Sequence, residues 1–184
     1  MNYNEGLTLL KKHMKNKNLI KHCIAVAVCM EGLAKRLNGD SDKWKLAGLL
    51  HDIDYEYTKD NFSEHGIKGT EILKEEGIDD IEILNSIKRH AGHEDNMPQN
   101  NMDWALYSSD PLTGLIVAAT LMHPTKKLEN VDLKFIKKRF KEKRFAAGAN
   151  REQIKQCEKL GLELDDFLMI CLDSMKGASD ELGL

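Results

Sequence analysis

A chain of 184 residues carries enough material for one hydrophobic core without disulfide or metal staples. A hydrophobic fraction of 41% beside 31% charged residues is the balance of a soluble globular protein, not of a membrane-embedded or disordered one. The net charge of −3 argues against a nucleic-acid binder that works through bulk charge.

Taken from the N-terminus, nearly every segment has helical period. Residues 4–15 form a short amphipathic helix. His22, Val26, Cys29, Leu33 and Leu37 then lie on one face of a helix over about 18–38, closed by Asn38-Gly39. Asp40 or Ser41 caps a helix over about 42–53, with Leu46, Leu49 and Leu50 inward. DYEYTKDN reads as a loop. Ser63 is placed to cap a helix over about 63–76 that ends at Gly77, and Asp79 or Asp80 starts another over about 80–91. HEDNMPQNN is a loop. Residues 102–122 have a helical pattern with Pro111 inside and stop at His123-Pro124. A basic helix over about 132–143, a break at AAGAN, and helices over about 150–160 and 164–176 complete the chain. No run alternates well enough for a strand, so the expected class is all-α. The weakest boundary follows residue 124. It divides a helical domain, 1–124, from a C-terminal helical extension, 125–184, expected to pack on the same domain.

Cys23, Cys29, Cys157 and Cys171 form no C-x-x-C pair and lie in apolar helical contexts, as buried thiols of a reducing compartment do. The charged N-terminus does not read as a signal peptide, and no apolar run approaches the length of a membrane span. A cytoplasmic protein is expected, and a homo-oligomer is allowed. Charge is uneven: residues 134–144 carry +6, leaving −9 for the rest.

The stretch LAGLLHDIDYE, 47–57, asks why a core-facing helix ends in His51-Asp52. A protonated histidine suits a helix C-terminus, but a carboxylate opposes the same dipole. In a regular helix the two side chains diverge by about 100°, so a shared ion needs ligands from other helices. His22, His65, His90, His93 and Asp110 are available for this. His22 by itself is an ordinary core histidine, and Asp110-Pro111 by itself is an N-cap and N1 pair dividing two helices.

Together, His22, His51-Asp52 and Asp110 resemble the H…HD…D signature of the HD-domain superfamily of metal-dependent phosphohydrolases. LIKHCIAVAVCMEGLAKRL resembles that family's first helix, KLAGLLHDID its second and ALYSSDPLTGLIVA its last ligand helix. EHGIKGTEILKEEG and SIKRHAGHED resemble the added histidine segments of its two-metal branches. The likeness covers residues 18–122. No GYP triplet accompanies it, which departs from the cyclic-dinucleotide phosphodiesterase branch. The resemblance implies an HD-like helical bundle holding one or two divalent transition ions (Fe, Mn, Zn, Co or Ni). His22, His51, Asp52 and Asp110 would hold the first, and Asp52, His65 and His90 the second.

Imidazole and carboxylate suit such ions, and a bound ion brings the pKa of its water toward neutrality, producing a nucleophile for phosphorus. The expected reaction is hydrolysis of a phosphomonoester, phosphodiester or phosphoanhydride in a small, nucleotide-like substrate. Asp52 is the natural bridge, because a carboxylate has two oxygens. His65, His93 and Lys68 join it as catalytic candidates, with His93 or Lys68 protonating the leaving group. Lys68, Arg139 and Arg144 are the candidates for substrate phosphate; the ordinary reading of the basic run is a wet helix face. Asp54, Glu64 and Glu94 are placed to orient histidines from behind, although such loop carboxylates are ordinarily solvated. Three rival readings are a nucleotide-binding sensor without turnover, a di-iron oxygenase on the same fold, and RNA binding through 134–144.

Overall fold

Asparagine or aspartate side chains start seven of the helices, by accepting backbone N–H groups of the first turn at Asn2, Asn16, Asp40, Asp80, Asn100, Asp132 and Asn150. In a computed structural model describing residues 1–184, these caps introduce α1 (Tyr3–His13), α2 (Lys17–Leu37), α3 (Ser41–Leu50), α6 (Ile81–His90), α7 (Asn101–Met122), α8 (Leu133–Lys141) and α9 (Arg151–Lys155). Shorter or differently capped elements are α4 (Tyr55–Thr58), α5 (Ile67–Glu75), α10 (Leu164–Lys176) and α11 (Ser179–Leu182). There is no strand, and the fold is an all-α bundle.

α2 and α7 form the axis of the bundle. α3 and α10 pack on α2; α6, α8 and α9 pack on α7. One continuous cluster of buried apolar side chains runs from Leu9 in α1 to Leu182 in α11, so residues 125–184 share the core of the rest. α3 crosses α2 closely because Gly48 has no side chain: a Cβ there would lie 2.9 Å from the Ala27 Cα. That approach brings the C-terminal end of α3, and with it His51, to the flank of α2. The four cysteines are free and buried; the Cys29 thiol donates to the Cys171 carbonyl at 3.6 Å and joins α2 to α10. No helix is long and apolar enough to cross a membrane.

Several expectations needed correction. DYEYTKDN contains the one-turn α4, whose Thr58 hydroxyl donates to the Asp54 carbonyl. Ser63 caps nothing. It lies in a 3-10 turn, and α5 starts only after Gly66, whose φ of +78° breaks the path into the helix. The helix expected over 150–160 is α9 followed by a 3-10 turn, and α11 was not foreseen. The helix expected over 102–122 does form: α7 runs through Asp110-Pro111, and the rival division into two helices falls away. Pro111 has no N–H for the Tyr107 carbonyl, and Gln153 of α9 replaces it, its Nε2 donating to that oxygen at 2.8 Å.

Candidate metal centre

α2, the end of α3, the turn before α5, the end of α6 and the middle of α7 each send polar side chains to one place. α3 ends at Leu50, and residues 51–54 turn. The turn lets His51 and Asp52 face the same point despite being adjacent, with His51 Nε2 3.5 Å from Asp52 Oδ1.

Asp52 lies at the middle of the cluster. Its Oδ2 faces His22 Nε2 at 3.7 Å, while Oδ1 faces His65 Nε2 at 3.2 Å and His90 Nε2 at 3.4 Å. Asp110 Oδ1 is 3.0 Å from His22 Nε2 and 3.7 Å from His51 Nε2. Three overlapping sets of ligand atoms are close enough to share an ion: His22, His51 and Asp52; His51, His90 and Asp110; and Asp52, His65 and His90. The structure thus brings together His22, His51, Asp52, His65, His90 and Asp110. His51, Asp52, His65 and His90 are buried; His22 and Asp110, with side chains 25% and 26% exposed, form the open edge.

Each imidazole is held from behind through Nδ1. The acceptors are the Gly48 carbonyl for His51 at 2.8 Å and the Ile87 carbonyl for His90 at 2.6 Å. His65 Nδ1 lies 3.0 Å from Asp54 Oδ1 and 3.3 Å from the Thr58 hydroxyl; His22 Nδ1 lies 3.1 Å from the Thr113 hydroxyl. A carbonyl only accepts, so the proton of neutral His51 and His90 sits on Nδ1 and the Nε2 lone pair points into the cluster. His51 Nε2 is buried with no hydrogen-bond partner. The His65 and His90 Nε2 atoms face each other at 3.1 Å. Two bare lone pairs at that distance repel unless a proton or a cation lies between them. This donor set fits a divalent transition ion.

Without an ion, protons serve instead. Burial opposes charge on His51, but Asp52 and Asp110 outweigh it and push its pKa up to about 9. Burial likewise opposes charge on His65, and Asp52 with Asp54 pushes it up to about 9. Both carboxyls are buried, which disfavours their charge, yet the surrounding imidazoles hold Asp52 and Asp110 below the usual carboxylate range.

The remaining candidates lie elsewhere. His93 Nε2 is 3.0 Å from the His65 carbonyl, so its ring braces the backbone of His65. Lys68 is exposed and pairs with Glu71 at 3.0 Å. Arg139 bonds Glu142 at 2.7 Å and lies over the rings of Phe135 and Phe145. Arg144 is exposed on the 142–149 loop. Glu64 and Glu94 are exposed, but Asp54 is fully buried, against expectation. Its Oδ2 accepts from the N–H of Gly66 at 2.7 Å and of Gly69 at 2.9 Å, so it caps α5 from outside the helix while Oδ1 faces His65. Thr113 was also missed; its spacing of three from Asp110 on a helix was the available signal.

The HD domain family matches residues 19–120. An uncharacterised protein of Methanocaldococcus jannaschii, MJ0778, is 35% identical over 97 residues, covering 50% of this chain and 55% of that protein. A ribonuclease Y of Nitratidesulfovibrio vulgaris is 29% identical over 163 residues, covering 86% of this chain and 30% of that protein. One of Helicobacter acinonychis is 33% identical over 81 residues, 44% of this chain and 15% of that protein. The chain therefore spans about half or less of the length of these curated relatives.

Proposed function

Because the chain belongs to the HD domain family, we propose that it is a metal-dependent phosphohydrolase, acting on a phosphoester or phosphoanhydride of a small, nucleotide-like substrate. The observation that carries this reading is the placement of Asp52, with Oδ2 toward His22 and Oδ1 toward His51, His65 and His90. One carboxylate could then serve two ions; His22, His51 and Asp110 would hold the first with it, and His65 and His90 the second. Divalent ions in such a site supply Lewis-acid chemistry, acidifying water and offsetting charge on phosphoryl oxygens. The protein contributes orientation: Gly48, Ile87, Asp54 and Thr113 fix which ring nitrogen faces inward. His22 and Asp110 leave the side by which a phosphoryl group enters. The ribonuclease names of two relatives support including phosphodiesters in the substrate range.

Elemental analysis of untagged protein, followed by hydrolysis assays with Mn2+ or Fe2+, tests the reading. The substrates are nucleoside monophosphates, dinucleoside polyphosphates and a short RNA. A bound transition metal is expected, with hydrolysis of at least one substrate lost on chelation and lowered by roughly two orders of magnitude or more in Asp52→Ala. Undiminished turnover by chelated protein, or oxygen consumption without phosphate release, removes the proposal.

A further inference from the structure

Gly114 is a residue that the fold itself does not ask for. It lies mid-helix in α7, where glycine costs roughly 1 kcal/mol against alanine. Its φ is not positive, and a Cβ built on it would meet nothing within 4 Å. Neither backbone conformation nor packing explains it, and it is exposed on the helix surface.

The space beside it has a shape. Asp110, Gly114, Val117, Ala118 and Leu121 share one face of α7, and Asn18, Lys21, His22 and Ala25 share one face of α2. Between the two faces runs a trough of about 400 Å3, lined also by Leu182 and Leu184. Gly114, Ala118 and Ala25 keep it open by being small. At its inner end His22 and Gly114 also border the mouth of the metal centre, beside Asp110 and Pro111. The trough therefore adjoins the exposed edge of the cluster through His22 and Gly114, and Leu121 on its wall is 55% exposed.

We propose that this trough holds the organic group of the substrate and selects a phosphoester whose organic group is apolar, with Gly114 as the specificity-determining residue. The inference rests on the phosphohydrolase reading and narrows it to phosphoesters with an apolar organic group, in place of a nucleotide-like one. With the phosphorus at the His22–Asp110 edge, the ester oxygen is directed toward Gly114. Chain atoms beyond it pass over a Cβ-free surface and then along Val117, Ala118 and Leu121. Polar groups of the trough lie at Asn18, Lys21 and His22 on α2 and at Thr113, whose hydroxyl is already engaged with His22 and the Asp110 carbonyl. A polar organic group would find few partners, whereas each methylene laid on apolar wall gains affinity.

Calorimetry on the Mn2+-loaded full chain, with alkylphosphonates whose C–P bond resists hydrolysis, tests this directly. Affinity is expected to rise at least tenfold from methyl- to hexylphosphonate. In Gly114→Leu this dependence on chain length disappears. In Ala118→Leu, one helical turn or about 6 Å further out, it survives for short chains and stops for long ones. Metal content and melting temperature of each variant establish that the centre and fold are intact. Methylphosphonate binding with no gain on lengthening, or a gain unaffected by both substitutions, overturns the trough assignment while leaving the phosphohydrolase reading standing. Failure of inorganic phosphate and every phosphonate to bind metal-loaded protein overturns both.

Discussion

The carboxylates around the cluster's histidines fix the sign of their pH dependence. His51 and His65, pushed up to about 9 by neighbouring carboxylates, are charged in the metal-free protein at neutral pH. A folded-state pKa above the unfolded one gives stability that is complete below about 6.5 and lost as pH rises through about 9. Asp52 and Asp110, depressed by the same imidazoles, contribute in the opposite sense, and their share is lost as pH falls below the usual carboxylate range. Chelated protein should therefore melt at a lower temperature at pH 9.5 than at pH 6.5. Metal-loaded protein, whose imidazoles are already neutral, should show a smaller drop. Equal drops in the two thermal melts would remove protonated histidine as the stand-in for metal. Asp54 makes a separate prediction. Asp54→Ala leaves the Gly66 and Gly69 N–H groups without their acceptor and His65 Nδ1 without its carboxylate. A loss of about 2–4 kcal/mol in urea unfolding and a 10- to 100-fold weaker metal affinity are expected. The signature histidines and aspartates were legible in the sequence through their resemblance to the HD-domain pattern. Asp54 was not, since its burial depends on a left-handed turn at Gly66, twelve residues later, turning two N–H groups back toward it.

At the scale of elements, apolar periodicity located the long helices, and Asp40 and Asp80 located two of the starts. What periodicity could not show was how an end or an interruption is settled by a partner from another part of the chain. α7 is the main case. Asp110-Pro111 carries the same local signal whether a helix begins there or continues, and the alternative that formed needs a donor for the Tyr107 carbonyl. Gln153, forty-six residues on, is that donor, and nothing near Pro111 announces it. The bond also ties α9 to the turn of α7 that carries Asp110. Gln153→Ala should cost about 1–2 kcal/mol, because a partly buried carbonyl loses its only side-chain donor. In a Pro111→Ala background the residue 111 N–H can take that carbonyl, and the same substitution should cost less. Urea unfolding of the two single variants and the double variant gives the coupling directly. Additive losses would mean that Gln153 does not replace the missing proline N–H.

For the whole molecule, the question is whether residues 125–184 are an appendage or a structural necessity. α10 buries Phe167, Leu168, Cys171, Leu172 and Met175, and packs on α2, the helix that carries His22. Arg151 donates to the carbonyls of Ala146 and Ala149 at 2.6 Å and also to those of Glu142 and Phe145. It thereby shapes the 142–149 loop, whose Ala146, Gly148 and Ala149 wall the mouth beside His22 and Asp110. The segment beyond the expected boundary at 124 thus covers the back of the ligand-bearing helices and closes the front of their site. Removing it exposes apolar faces of α2 and α7 while leaving every signature residue in the chain. The prediction is that a fragment ending at residue 124 shows no cooperative thermal transition and binds no stoichiometric metal. In the full chain, the slowest-exchanging amides of α10 and α2 should be protected to the same free energy, as members of one unfolding unit. A fragment that melts cooperatively and retains metal would separate the two parts. The signature would then be sufficient for the centre, and Arg151, Gln153 and α10 would be additions to a bundle already complete.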